Sequence, residues 1–221
     1  MSTFYVIATP IGNLEDITLR ALRILKEVDL VLCEDTRVTK RLFEKHSITT
    51  HMVSYHAQSG EAKVELILEK IEEGKTIALV TDAGTPGISD PGSLLISQIR
   101  KAYPDLKIVA VPGPSALPSA LSIAGVPTHE FVFLGFFPHK KGRETLFKEI
   151  AAAERPMVFY ESTHRIMKTL ESLKKIPKTI TLVREITKIY EEVLQGSAAE
   201  VEKILTDTPE KQKGEFVVIV S

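Results

Sequence analysis

The chain contains no tryptophan and a single cysteine, Cys33, among 221 residues. One cysteine cannot close an internal disulfide, and Cys33 follows the apolar run Leu30, Val31, Leu32. That usage fits a reducing cytoplasm and excludes a disulfide scaffold. No apolar run approaches the ~18 residues needed to span a bilayer, so no membrane partner is expected. The stretch from Met1 to Ala8 has neither a basic segment nor a cleavage site, so no secretory leader is read there. Aromatic residues are only 6% of the chain, too few for a stacking platform that grips single strands. A charge excess of one sign is missing as well. The 28 basic and 29 acidic side chains leave a net charge of -1, so bulk charge cannot wrap nucleic acid. If RNA is a partner, local basic patches must steer it. Hydrophobic residues at 43% and charged residues at 26% describe an ordinary globular core, not a disordered chain.

Short apolar runs alternate with amphipathic stretches in the first half. Strands are expected at Phe4–Ala8, Leu30–Cys33, Thr76–Val80 and Ile108–Val111. Between them lie helical patterns: one after Thr18 with Leu19, Leu22, Ile24 and Leu25, one through 39–45, one capped by Ser59 and ended by Gly74, and one through 92–101. This alternation predicts a mostly parallel sheet covered by helices. A Pro/Gly-rich stretch (Pro112, Gly113, Pro114, Pro118) marks the expected boundary, giving an N-terminal α/β domain over 1–113 and a C-terminal α/β domain over 114–221. The helical pattern from Ser115 to Ala124 is expected to dock on the first sheet. Apolar runs in the second half are shorter and closer together, at 131–137, 157–160, 180–183, 193–194 and 216–220, with helical stretches at 143–153, 164–173 and 198–205. They predict a mixed sheet with hairpins.

Five segments carry chemistry, most of them directly after an expected strand. In an open α/β sheet, ligands bind beyond the carboxyl ends of strands. ATPIGNLEDITLRAL (8–22) makes a tight loop with Pro10 and Gly12, followed by a helix capped by Asp16 or Thr18. CEDTRVTKRL (33–42) clusters Glu34, Asp35 and Arg37, either at the edge of a cleft or as a helix cap with a surface ion pair. TDAGTPGISDPG (81–92) packs three glycines, two prolines and two aspartates into twelve residues. It is neither a Walker loop nor the dinucleotide G-x-G-x-x-G. Its glycines permit close backbone approach to a ligand, and its aspartates accept from hydroxyls or amines. VPGPSALPSAL (111–121) puts Ser115 at a helix N-terminus, as an anion site or a plain cap. FYESTHR (159–165) offers Glu161, His164 and Arg165 for acid/base work or anion binding, or a helix capped by Ser162 or Thr163. Lys140, Lys141 and Arg143 are either a solvated face or a phosphate-contacting rim. The histidines show no paired metal spacing and Cys33 has no partner, so no metal is expected.

In that order, ATPIGNLEDITLRAL, CEDTR, TDAGTPGISDPG, VPGPSA, FLGFFP, FYESTHR and KGEFVV resemble the small-subunit ribosomal RNA methyltransferase I family of the tetrapyrrole-methylase-like (class III) S-adenosylmethionine enzymes. The resemblance spans nearly the whole chain. It implies two α/β domains with the cofactor in a cleft between them, a homodimer, and S-adenosyl-L-methionine-dependent 2'-O-methylation of a cytidine ribose in the decoding region of small-subunit (16S) rRNA. The partner would be that rRNA or the 30S particle. Carried onto this sequence, the cofactor loop falls on Asp82, Ala83, Gly84 and Thr85 with Ile88 near. The second cofactor segment falls on Pro112, Gly113, Ser115 and Ala116, with Pro10 and Gly12 beside the cleft. Tyr160, Glu161, Gly214 and Glu215 would add contacts from the second domain. The catalytic candidates are Glu34, Asp35 and Glu161 as base, with Arg37 and Arg165 orienting the base or a phosphate. Many members continue past KGEF with a helical segment, whereas this sequence stops at Ser221, as a short member or a shortened chain would. Methylation of a tetrapyrrole or other small molecule, and a non-catalytic cofactor-binding ribosome-associated module, are the alternative readings on the same fold.

Overall fold

A computed structural model describes residues 2–56, 59–90, 92–139 and 141–221. The chain divides into two compact units, Met1–Ser115 and Ala116–Ser221. The first unit runs β1 (Thr3–Ile7), α1 (Leu19–Glu27), β2 (Leu30–Cys33), α2 (Thr36–Lys45), β3 (Met52–Ser54), α3 (Glu61–Glu72), β4 (Ile77–Leu79), α4 (Gly92–Ala102) and β5 (Lys107–Val111). Its five strands are all parallel, in the order β3-β2-β4-β1-β5.

Alternation along each strand explains why both faces need helices. Val31 and Cys33 of β2, with Ile7 of β1 and Ala78 of β4, pack against α1 and α2. The intervening Leu32, Phe4, Ile77 and Leu79 pack against α3 and α4. A parallel sheet buried on both faces reads as continuous apolar sequence, and LVLC and TIALV read that way. Strand β3 escapes such reading because it is only three half-buried residues at the sheet edge. The expected cap at Ser59 is also corrected. Gly60 is the N-cap of α3, and the Ser59 hydroxyl accepts from the His56 amide instead, closing a turn before the helix. Thr18 does cap α1, accepting from the Ala21 amide at 3.1 Å.

The second unit runs α5 (Ala116–Ile123), β6 (Val132–Phe136), α6 (Arg143–Ala152), β7 (Met157–Ser162), α7 (Ile166–Leu173), β8 (Thr179–Arg184), β9 (Glu192–Ser197), α8 (Ala198–Asp207) and β10 (Glu215–Val220). The sheet order is β6-β7-β10-β8-β9, with β6 parallel to β7 and the other pairs antiparallel. Central β10 shows the period of two directly. Phe216, Val218 and Val220 enter the core under α6, α7 and α8, whereas Val217 and Ile219 enter the core under α5. Each such large side chain removed from water contributes about 1.5–3 kcal/mol.

The expectation that α5 docks on the first sheet is therefore overturned. Ala120, Leu121 and Ala124 of α5 pack with Val158, Val183, Val217 and Ile219 of the second sheet. Both faces of the first sheet are already covered by α1–α4, and the small side chains of Ala120 and Ala124 let α5 approach its own sheet closely. Ala120 is fully buried there. We expect Ala120→Leu to overpack this contact and lower unfolding stability by about 1–3 kcal/mol. Urea unfolding measures it, and an unchanged midpoint would show that α5 is not seated on this sheet.

Candidate active site

The order β3-β2-β4-β1-β5 sets β2, β4 and β1 side by side, so their carboxyl-end turns become neighbours. The chain leaves β1 and β2 toward the α1–α2 face and leaves β4 toward the α3–α4 face. Where adjacent strands send their connections to opposite faces, a crevice opens at the strand ends. Two such switch points flank β4.

On the β2 side, the Asp82 Oδ1 accepts from the Asp35 backbone amide at 2.9 Å, and the Thr81 hydroxyl donates to Glu34 Oε2 at 3.1 Å. The CEDTR and TDAGTPG segments are thus cross-linked although 47 residues separate the bonded pairs. On the β1 side, Thr9 and Gly84 exchange backbone bonds of 2.9 and 3.0 Å, and the Thr9 hydroxyl donates to the Thr81 carbonyl at 2.9 Å. Gly84 stands at φ +88°, a left-handed conformation that glycine adopts without strain. An added Cβ would touch Ile11 Cγ2 at 3.4 Å, so the backbone there lies close under the 10–13 loop. A fourth turn, after β5, joins through the Thr85 hydroxyl, 3.4 Å from the Pro114 carbonyl, and through the Ala8 amide on the Val111 carbonyl. Gly113 is packed so near Ala8 that a Cβ would sit 3.1 Å from the alanine methyl. The second half of the long loop is braced separately. Asp90 Oδ1 accepts from the amides of Gly87 at 2.7 Å and Gly92 at 2.8 Å.

The four strand-end turns therefore meet in one unit, and Pro10, Asp82, Gly84, Thr85 and Glu34 lie in or beside their shared bonds. Ala83 and Ile88 are exposed on the same loop, Gly12 and Pro112 are exposed at the neighbouring turns, and Ser115 precedes α5, whose first residue is Ala116.

The acidic groups are not equivalent. Asp35 caps α2 through the Arg37 amide and also grips the Arg37 guanidinium, with Nη2 at 2.6 Å. Those bonds from Arg37 hold its pKa down at about 2. Both carboxylate oxygens are taken up by Arg37, so in this geometry Asp35 serves as an anchor. Burial pushes the Asp82 carboxyl up, and the Asp35 amide pulls against that shift. Glu34 is half-buried and bonded to Thr81 at one oxygen.

In the second unit, residues 160 and 161 fall on opposite faces of β7. Tyr160 packs edge-on against Phe133 and Phe136, with centroids 5.0 and 5.3 Å away, on the α5 face. Burial raises its hydroxyl pKa, countered by a bond with the Leu117 backbone. Glu161 lies on the other face beside Phe159 and is 2% exposed. Its Oε1 accepts from the Ser162 amide at 2.9 Å and pairs with Arg165 Nη2 at 2.8 Å. Its Oε2 accepts from the Thr169 hydroxyl at 2.6 Å and faces Arg143 Nη1 at 3.9 Å. A buried carboxylate held by four donors is the centre of a structural network, so the expectation of Glu161 as a base is corrected. Arg165 and Arg143 are spent in the same network and do not rim a surface; Lys140 lies outside the described residues. Neither Ser162 nor Thr163 caps α7. Thr163 Oγ1 instead bridges the Gly214 backbone, 2.8 Å from both its amide and its carbonyl, tying FYESTHR to the KGEF segment. Period-two arithmetic from Phe159 would have flagged the burial of Glu161.

Strand-end turns of this kind on an all-parallel sheet, followed by a mixed-sheet unit, define a tetrapyrrole-methylase fold. The chain belongs to the tetrapyrrole (corrin/porphyrin) methylase family, whose sequence model matches residues 3–202. Within it the chain is a member of the ribosomal RNA small subunit methyltransferase I group. It is 42% identical to the protein of that name from Pasteurella multocida, over 98% of this chain and 78% of that one. It is 40% identical to the one from Thermotoga maritima, over 100% of this chain and 99% of that one. Among solved structures it is similar to diphthine synthase (TM-score 0.73, 14% identity, 100% and 90% covered) and to cobalt precorrin-4 methyltransferase (TM-score 0.69, 16% identity, 99% and 94% covered). These two likenesses support the α/β fold class expected from the sequence.

Two outcomes follow from the acidic cluster. In a carboxyl NMR titration, Asp35 should titrate near pH 2 and Asp82 above its ordinary 3.8. Stability from ionised Asp35 should be present above its unfolded value of about 3.9 and fade as pH falls toward 2. Arg37→Ala should return Asp35 to the ordinary carboxylate range; an Asp35 titration unmoved by that change would show that Arg37 is not its partner.

Proposed function

We propose that the chain transfers a methyl group from S-adenosyl-L-methionine to the 2'-oxygen of a cytidine ribose in the decoding region of small-subunit rRNA. The observation that carries the reading is the bond from the Asp35 amide to Asp82, which joins the two acidic turns at one strand-end crevice. The names of the relatives, ribosomal RNA small subunit methyltransferase I, support the acceptor class.

The residues suit such a donor. An amino-acid nucleoside offers hydroxyls and an ammonium that a carboxylate accepts, and Asp82 uses one oxygen internally in the bonds described, leaving Oδ2 for a ligand. The backbone of Ala83, Gly84 and Thr85 lies exposed or close under a neighbouring loop, as contact with a nucleoside requires. Pro10, Gly12, Ile88, Pro112 and Ser115 supply the remaining wall in this reading. When bound, the sulfonium supplies an electrophilic methyl group.

This chain's residues then have two tasks. The first is positioning the ribose oxygen in line with the departing sulfur, which can contribute about 7–11 kcal/mol in favourable cases. The second is taking the hydroxyl proton. With Asp35 locked by Arg37, Glu34 is the base we assign, its Oε2 held by Thr81 so that the carboxylate keeps one orientation. Arg37, whose side chain is 88% exposed, sits at the rim where a substrate phosphate would pass. The family resemblance further supports a homodimer working in the cytoplasm.

Transfer of tritium from labelled cofactor to small-subunit particles tests the reading, with the product nucleotide resisting alkaline cleavage at one cytidine. Label on a base, or on no RNA, would contradict it. Asp82→Ala should weaken cofactor binding by roughly 10- to 100-fold in calorimetry, the loss of a charge-assisted bond. Glu34→Gln should keep cofactor affinity and lower turnover by about 10²–10⁴-fold. Unchanged cofactor affinity in Asp82→Ala would remove the aspartate from the site.

A further inference from the structure

The Glu161 network is more elaborate than a strand end needs, and it points at one loop. Its two arginines do not stop at the carboxylate. Arg165 Nη1 donates to the Phe137 carbonyl at 2.5 Å, and Arg143 Nη1 donates to the Pro138 carbonyl at 3.3 Å. The Thr169 hydroxyl closes the circuit, accepting from Arg143 Nη2 at 2.7 Å while donating to Glu161. The Arg143 guanidinium is also stacked over the rings of Phe137 and Phe147, 4.8 and 5.1 Å from their centroids. Two consecutive carbonyls at the start of the β6–α6 connection are therefore fixed by cations that one buried carboxylate holds in place. Strand β6 prepares this entry. Its register shifts between Phe133 and Phe136, with Gly135 at φ +66°, and the chain emerges with Phe136 exposed and Phe137 buried among Phe147 and Phe159.

Immediately beyond the two clamped carbonyls, the chain exposes His139 and Lys141. Rigid backbone entering a basic, solvent-facing turn matches a polyanion. It fits poorly with a solvated linker, which needs no buried ion network beneath it. We infer that His139 and Lys141, just before α6, are phosphate-contacting residues for the RNA substrate, and that Glu161 is the positioning residue that holds the backbone leading to them through Arg143 and Arg165. The inference rests on the rRNA reading given above. It also suits a nearly neutral chain that handles RNA, because local placement of a contact can stand in for bulk charge.

The test measures binding of full-length small-subunit rRNA transcript by filter retention between 50 and 200 mM salt, together with KM and kcat on small-subunit particles. Lys141→Ala should weaken rRNA binding roughly 3- to 10-fold and reduce the slope of log affinity on log salt by about one, with cofactor affinity unchanged. His139→Ala should weaken binding by less. Glu161→Gln should raise KM for particles more than it lowers kcat, and combined with Lys141→Ala it should add little further loss, because both act through one turn. If Glu161→Gln does not fold, Thr169→Val, which removes the hydroxyl joining Glu161 to Arg143, takes its place in the cycle. Full affinity and an unchanged salt slope in Lys141→Ala would overturn the inference, as would losses from residues 161 and 141 that add in full. Wild-type protein that binds rRNA through this turn but transfers no methyl group would uphold it while overturning the reaction; no rRNA affinity at all would overturn both.

Discussion

One hydrogen bond organises the first unit: the Asp82 carboxylate on the Asp35 amide. Strand ends in a parallel sheet carry free carbonyls and amides that adjoining turns must satisfy. Here the turn after β4 satisfies the turn after β2 with a charged side chain, and satisfies the turn after β1 with backbone bonds between Gly84 and Thr9. The three turns therefore cannot move independently. Anything that binds one of them meets a surface already fixed by the other two, which lowers the ordering needed on binding.

That arrangement also sorts the carboxylates by chemistry. Asp35 is neutralised by Arg37 and serves as cap and anchor. Asp82 is lifted by burial and gives one oxygen to the Asp35 amide. Glu34 is oriented by a hydroxyl. Arg37 lowers the Asp35 pKa and burial raises that of Asp82, so two carboxylates joined through one backbone amide are pushed in opposite directions. The second unit uses a carboxylate in a fourth way. Glu161 is buried with two arginines and a threonine, and its effect is mechanical, passed outward to backbone carbonyls.

Much of this was legible in the sequence and some was not, for physical reasons. Continuous apolar runs such as LVLC and TIALV announced buried parallel strands, and the density of glycine, proline and aspartate in TDAGTPGISDPG announced a constrained turn. The adjacency of Asp35 and Asp82 was not legible, because local pattern does not state that β4 lies between β2 and β1. Strand β3 was too short to show a period. Helix α5 was misplaced because its apolar face says only that it docks, not on which sheet; the covered faces of the first sheet decide that. Arg143 read as a surface cation because its sequence neighbours are lysines, whereas Phe137, Phe147 and Glu161 draw it inward. Glu161 itself was readable in principle, two residues after Phe159 on the same strand face.

In the reaction we propose, the strand-end turns of the first unit hold the methyl donor. Photocrosslinking of tritiated S-adenosyl-L-methionine to the full chain, followed by peptide mapping, tests this most directly. The label is expected in the peptides that carry 81–92 and 111–121, and it should fall with Asp82→Ala. Label confined to other peptides, or unaffected by loss of the Asp82 carboxylate, would contradict the account.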